Sequence, residues 1–326
     1  MKVVIADYPD SMMPNHDYER EILTKGLGAN TEIVVYPYHD DKEEFYEVIK
    51  DAQAILTAFT PIDAETLDHA LQLQVVSINA TGYDNVDLAA ANARHIGVCP
   101  VGEYCTKDVA EFTIATMMAL VKNLKSYQTA IDCHYHWSYD YAKPNQRLSD
   151  MTLGICGLGK IGKTVARKAL GLGLKVLACD PFTHLPADLA VTMVSKEALF
   201  AQADIITNHM NLNETNYGYF DQKAFKQMLK QPYFINMGRG ACVVEADVIA
   251  ALDQGRLKGA ALDVLKDETP DLAQHPLVGR ENVLITPHAA FYSTSSLRDL
   301  QRISTENIVH YLTGRKDRVF KLVSDY

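Results

Sequence analysis

Five brief, continuous apolar runs occupy the first hundred residues: Val3–Ala6, Ile33–Tyr36, Ala54–Ala58, Val75–Asn79 and Gly97–Cys99. Unalternated runs of this length suit strands that are covered on both faces. The gaps between the first four are long enough for a helix, so the pattern predicts a doubly wound α/β domain. From Leu153 the rhythm restarts. Candidate strands are Leu153–Cys156, Lys175–Cys179, Ile205–Asn208, Tyr233–Asn236, Ala260–Val264 and Val283–Thr286. Candidate helices between them include Ile161–Gly171, Asp221–Leu229 and Glu245–Gln254. Six strands with crossover helices would make a full dinucleotide-binding sheet. The polar segment Trp137–Asp150, with Pro144 and Asn145, reads as the loop before that sheet.

Two longer helical stretches bracket the second rhythm. Asp108–Lys125 is apolar nearly all round (Val109, Phe112, Ile114, Met117, Met118, Leu120, Val121, Leu124), which predicts a helix buried on every side. After His288, the residues Leu297, Leu300, Ile303, Ile308 and Leu312 recur near helical spacing, with Gly314 placed to end the helix. This last helix is expected to cross back to the first domain. A length of 326 residues agrees with about two domains. The net charge of −10 argues against nucleic acid and against an anionic membrane surface as partners. No apolar run approaches a membrane span, and the first ten residues are too short of apolar length for a signal peptide. The six cysteines form no CxxC pair, so the expected compartment is the reducing cytoplasm.

The run Gly157-Leu-Gly-Lys-Ile-Gly162 follows one predicted strand and opens a predicted helix. In that context GxGxxG is a phosphate-binding turn. Gly157 allows the tight bend, Gly159 lets backbone approach a pyrophosphate, and Gly162 lets the helix pack on the sheet. The helix N-terminus adds unpaired N–H groups and a partial positive charge. Asp180 closes the next strand, where a carboxylate accepts the ribose hydroxyls and repels a 2′-phosphate, favouring NAD over NADP. The plainer reading of Asp180 is a solvated turn residue before Pro181.

Ligands in open α/β sheets sit at the carboxyl ends of strands. Arg239, Glu268 and His288 each fall near such an end, and each alone also fits an ordinary surface residue. Together they supply the parts for reducing a 2-oxo acid. A guanidinium holds the carboxylate bidentately and polarises the ketone. An imidazolium donates a proton to the forming alkoxide. A carboxylate beside it raises its pKa and fixes its tautomer.

Gly157–Gly162 with Asp180, Asn236–Gly240, Asp263–Glu268 and Pro287–His288 together resemble the signatures of the D-isomer-specific 2-hydroxyacid dehydrogenases. Thr81–Asp87 and Tyr104–Glu111 extend the resemblance into the first domain. Tyr104–Glu111 and His288-Ala-Ala-Phe-Tyr292 bring it closest to the D-lactate dehydrogenase branch. The resemblance implies two doubly wound α/β domains: a Rossmann NAD-binding domain, 102–292, inserted into a flavodoxin-like substrate domain, 1–101 and 293–326. It implies that Arg239 binds and polarises the substrate, that His288 is the proton donor and that Glu268 pairs with His288. It also implies that Thr81 and Gly82 hold the substrate carboxylate through backbone N–H groups, and that Tyr104 contacts the substrate. Lys160 and Ile161 would lie along the pyrophosphate. Met210, Asn216, Met237, Gly238 and Asp263 would line the adenosine and nicotinamide path, with Asp263 near the carboxamide. NAD is the implied cofactor, a small 2-oxo or 2-hydroxy acid the implied partner, and a homodimer the implied assembly.

Two departures stand out. The family's His-x-Pro after the strand Ile205–Asn208 is here His209-Met-Asn211, and Glu268 is followed by Thr269 before Pro270, which leaves Asp267 as an alternative to Glu268. Phe59, Tyr104, Phe291 and Tyr292 are candidates for an apolar substrate pocket; Phe59 and Tyr292 equally suit a core. His134 and His136 form an HxH pair without an evident third ligand, so no metal is expected. The other readings are an NADH-sensing corepressor-like binding protein, for whose extra regions the chain has little spare length, and a short-form phosphoglycerate dehydrogenase.

Overall fold

A computed structural model describes residues 1–267 and 269–325. The chain divides into two compact units, Met1–Tyr104 with Ser293–Tyr326, and Cys105–Tyr292. The first unit begins with β1 (Lys2–Asp7), α1 (Asp17–Leu27), β2 (Glu32–Pro37), α2 (Lys42–Ile49) and β3 (Ala54–Thr57). It continues with α3 (Ala64–His69), β4 (Val75–Ile78), α4 (Leu88–Ala93) and β5 (Gly97–Pro100). All its strand pairs are parallel, in the order β2-β1-β3-β4-β5. That is the flavodoxin-like order. β3, β4 and β5 are buried along their whole length, which explains their unalternated apolar sequence. Asp63 and Asp87 cap α3 and α4 by accepting from the N–H groups of Thr66 and Ala90.

The second unit holds α5 (Thr106–Val121), α6 (Leu124–His134), β6 (Thr152–Cys156), α7 (Lys160–Gly171), β7 (Lys175–Cys179) and β8 (Thr192–Met193). There follow α8 (Lys196–Gln202), β9 (Ile205–Asn208), α9 (Gln222–Gln227), β10 (Tyr233–Asn236), α10 (Glu245–Asp253), β11 (Gly259–Leu262) and β12 (Val283–Ile285). The sheet is parallel in the order β12-β11-β10-β9-β6-β7-β8. Renumbered from β6, it is the Rossmann order extended by one strand, and its switch point lies between β6 and β9. The final helix, α11 (Thr294–Leu312), belongs to the first unit, where it packs on α1 and β4. It opens with a capping box at Ser293 and ends before Gly314, which takes the left-handed φ of +73°.

Three expectations about elements need correcting. The predicted helix Asp108–Lys125 is two helices, because Asn123 adopts a left-handed φ of +54° between α5 and α6. The apolar spacing runs through this break, so periodicity alone missed it. Nor is that helix buried all round within the chain: Lys107, Glu111 and Ala115 are exposed along α5, and Leu124 is 56% exposed at the start of α6. The second sheet has a seventh strand, β8, which is a two-residue exposed edge too short to leave a pattern. The strand predicted as Ala260–Val264 stops at Leu262, because Asp263 turns inward to serve a different segment. Among the described residues, no helix is long and apolar enough to cross a membrane.

Candidate active site in the Cys105–Tyr292 unit

At the switch point a cleft of about 640 Å³ opens at the carboxyl ends of β6, β7 and β9. Gly157, Gly159, Asp180, Met210 and Asn216 line it, as do Pro181, Phe182, His209, Thr215 and Tyr219. Gly157 has a φ of +88°, and a Cβ there would lie 2.8 Å from the Met210 nitrogen. At Gly162 a Cβ would lie 2.2 Å from the Gly157 carbonyl oxygen, so the turn and helix α7 touch backbone to backbone. Gly159, the N-cap of α7, faces open space. Lys160 and Ile161 begin the first turn, whose N–H groups lack helical acceptors and suit a phosphate. A volume this size, with glycine backbone at its floor and a helix N-terminus at its wall, fits a dinucleotide.

Asp180 accepts from the Leu158 N–H at 2.8 Å and from the Phe182 N–H at 2.9 Å. Its carboxylate is therefore fixed at the end of β7 rather than solvated and loose, with further lone pairs available to the cleft. Asn216 lines the cleft, but its amide pins its own loop, accepting from the Asn213 N–H at 2.8 Å and donating to the Asn211 carbonyl at 2.6 Å. In the His209-Met-Asn211 segment, Thr207 Oγ1 lies 2.9 Å from His209 Nε2, while Nδ1 is shut from solvent with no partner among the described residues. Burial pushes the His209 pKa down to about 3, so the ring is neutral. Met237 and Gly238 are buried beside β9 and do not line this cleft.

The loops after β10, β11 and β12 form a second, contiguous group. Arg239 follows β10, with its guanidinium exposed and Nη1 donating to the Gly238 carbonyl at 2.9 Å. Gly240 presses on the next loop: a Cβ there would fall 1.8 Å from the Leu265 carbonyl oxygen. Asp263, 2% exposed, accepts from the Thr286 hydroxyl at 2.6 Å, the Ala289 N–H at 2.8 Å and the Ala290 N–H at 3.0 Å. Its carbonyl accepts from the His288 N–H at 2.7 Å. Asp263 thus holds the segment that carries His288, whose φ is +51°. The half-buried His288 ring meets the edge of Phe291 at 6.3 Å between centroids. A cavity of about 490 Å³ adjoins Asp263, Asp267, Thr286 and His288. Asp267 is exposed, and it accepts from the Thr269 N–H at 2.9 Å. Glu268 lies outside the described residues. With only β11 between them, the ends of β10 and β12 are ~10 Å apart, twice the strand spacing.

In the other unit, Thr81 and Gly82 are exposed just past the carboxyl end of β4. Tyr104 packs beside Val101, Leu300 and Ile303. Phe59 is 57% and Tyr292 69% exposed, so neither is a core residue of its unit. Among the described residues no group of three or more His, Cys, Asp or Glu is placed to hold a metal. Sequence reasoning marked the His209-Met-Asn211 loop without giving it contacts, and passed over Phe182 and Tyr219 of the cleft and Asp263 as a brace for His288. The strand-end rule would have found Phe182, which follows β7 and Asp180.

Fold and cleft together define a two-unit α/β dinucleotide-binding protein with a charged group at neighbouring strand ends. Residues 114–290 match the model of the D-isomer specific 2-hydroxyacid dehydrogenase NAD binding domain. The chain is 31% identical over 300 residues to hydroxypyruvate reductase from Blautia hydrogenotrophica, spanning 89% of this chain and 92% of that one. It is 30% identical over 261 residues to D-lactate dehydrogenase from Lactiplantibacillus plantarum, spanning 76% and 78%. Its structure aligns with that of D-2-hydroxyisocaproate dehydrogenase at a TM-score of 0.87 and 25% identity, covering 100% of both chains. The chain belongs to the D-isomer-specific 2-hydroxyacid dehydrogenase family and is an NAD-dependent oxidoreductase acting on CH–OH donors.

Proposed function

We propose that the chain reduces a small 2-oxo acid to the D-2-hydroxy acid, as a D-lactate dehydrogenase does. The observation that carries the reading is the braced group at the ends of β10, β11 and β12, with an exposed guanidinium on Arg239 and an imidazole on His288 held at a fixed backbone angle. Bound NADH supplies the hydride. Arg239 grips the carboxylate and polarises the ketone, and His288 delivers the proton to the forming alkoxide. Glu268, with Asp267 as the alternative, pairs with His288 and fixes its tautomer. Backbone N–H groups of Thr81 and Gly82 share the carboxylate, and Tyr104 and Phe291 border the substituent on the 2-carbon. Lys160, Ile161 and Met210 lie along the cofactor, and Met237 and Gly238 stand behind its nicotinamide end.

The discriminating assay follows NADH oxidation with pyruvate, 2-oxoisocaproate, phenylpyruvate, glyoxylate and hydroxypyruvate, and then resolves the product on a chiral column. The expected order places pyruvate or a larger aliphatic acid first, with D product. Exclusive turnover of hydroxypyruvate or glyoxylate would transfer the chain to the branch of its Blautia relative, and no turnover at all would leave a binding protein. The proposed assembly is a homodimer, supported by the half-buried Phe112, Ile114 and Met118 and the exposed Leu124. Light scattering that finds a monomer refutes it. The proposed compartment is the cytoplasm, supported by free thiols at Cys99, Cys133, Cys156, Cys179 and Cys242.

A further inference from the structure

Two asparagines lie side by side at the carboxyl ends of neighbouring strands, and both are completely buried: Asn208 on β9 and Asn236 on β10. An amide pair in such a place must be satisfied internally or it destabilises the sheet. Here it is. Asn208 Nδ2 donates to Asn236 Oδ1 at 2.9 Å, and Asn208 Oδ1 accepts from the Met210 N–H at 3.1 Å. Asn236 Oδ1 also accepts from the Gly238 N–H at 3.1 Å, and Asn236 Nδ2 donates to the Arg239 carbonyl at 3.2 Å. The donors and acceptors fix both amide orientations.

This chain of bonds runs from the cofactor-side turn at Met210 to the backbone of Arg239. Its packing is equally tight: a Cβ at Gly238 would lie 2.8 Å from both Asn208 Nδ2 and the Met210 carbonyl oxygen. Arg239 is an exposed residue, and among the described residues its guanidinium is held by the Gly238 carbonyl, so the course of its own backbone sets where it starts from. Bidentate recognition of a carboxylate is demanding in angle, and small misplacements cost rate.

The geometry points to Asn208 as a positioning residue for the substrate arginine: through Asn236 it fixes the Met237–Arg239 turn, and through Met210 it ties that turn to the cofactor loop. Without Asn208, Asn236 keeps its bonds to the Gly238 N–H and the Arg239 carbonyl, but the turn they hold loses its side-chain anchor to β9 and its tie to the Met210 loop. The inference rests on the reading of Arg239 as the carboxylate-binding group.

The two substitutions that separate the arms are Asn208→Ser and Asn208→Leu. Serine keeps a short oxygen that accepts the Met210 N–H but does not reach Asn236. Leucine removes both bonds. With pyruvate and, in parallel, hydroxypyruvate at saturating NADH, both variants should raise KM about tenfold or more. In Asn208→Ser the NADH Kd, read by fluorescence titration, should stay within about threefold, because the cofactor-side bond survives. Should Asn208→Leu fail to fold, Asn208→Ser decides alone. A lowered Tm with KM within about twofold of the parent makes Asn208 merely structural and overturns the inference. Arg239→Ala serves as the reference: if it keeps full turnover, the reading of Arg239 fails. If it loses turnover with NADH still bound while Asn208→Ser leaves KM unmoved, only the inference fails.

Discussion

Acid should loosen the Cys105–Tyr292 unit through a single ring, that of His209. Its Nδ1 is sealed from water with no partner among the described residues, and burial holds its pKa at about 3 against an ordinary 6.5. The sign follows from proton counting. Between pH 6.5 and 3 the unfolded chain binds a proton here that the folded chain refuses, so stability falls as pH falls through that window. From pH 7 to pH 5 the loss is about 2 kcal/mol, on the relation of 1.36 kcal/mol per pKa unit. His209 is half-buried and borders the cleft, where water screens charge, so the loss is reduced to between about 1 and 2 kcal/mol. The measurement is urea unfolding by far-UV circular dichroism at pH 7, 6 and 5, for the parent and for His209→Gln. Glutamine fills a similar space without titrating, so the difference between the two pH slopes isolates the ring from every other group. The parent should lose 1 to 2 kcal/mol more than the variant, in about that range. Parallel slopes would refute the argument, for they would mean that the ring takes its proton in the folded state at no cost.

Three further outcomes follow from the cleft and the strand ends. Asp180→Asn keeps an oxygen for the Leu158 N–H but removes the charge, so the preference in kcat/KM for NADH over NADPH should fall by about tenfold, ~1.4 kcal/mol. An unchanged ratio would place cofactor choice elsewhere. Gly162→Ala drives a Cβ into the Gly157 carbonyl and should cost about 1–3 kcal/mol of stability by thermal unfolding, together with NADH affinity. Gly159→Ala meets nothing within 4 Å, so it should weaken NADH binding with Tm intact, and a matching Tm loss in both variants would contradict the packing argument. On the reading of Glu268 as the partner of His288, Glu268→Gln should lower kcat for 2-oxo acid reduction by about tenfold with the NADH Kd unchanged. If Asp267→Asn lowers kcat instead, that residue is the partner.

The parts of the fold legible in the sequence are those that leave a local or periodic trace. Strands such as β4 and β9 are buried on both faces, so they write an unbroken apolar run. Gly157 and Gly162 stand where backbone meets backbone, a need that only glycine meets at that spacing. Asp180 directly follows β7, where its carboxylate accepts from Leu158 in the glycine turn and from Phe182 in its own turn. What stayed hidden is non-local. Asn208 and Asn236 bond across two strands separated by a helix, and no period connects them. Asp263 reads as a strand-end acid, and its work on Thr286, Ala289 and Ala290 emerges only when β11 and β12 are laid side by side. The break at Asn123 interrupts no hydrophobic pattern, because Leu124 continues it while pointing outward.

The bracing by Asp263 bears on how such proteins can be recombined. The segment that carries His288 takes its shape from a carboxylate more than twenty positions upstream, just past the end of β11. It is therefore not a portable part. Swapping residues 286–290 between relatives, to trade substrate range, transplants a loop away from the template that moulds it, unless the end of β11 travels too. The exchangeable module is the strand pair, and crossovers that respect it should yield folded chimeras where shorter grafts do not.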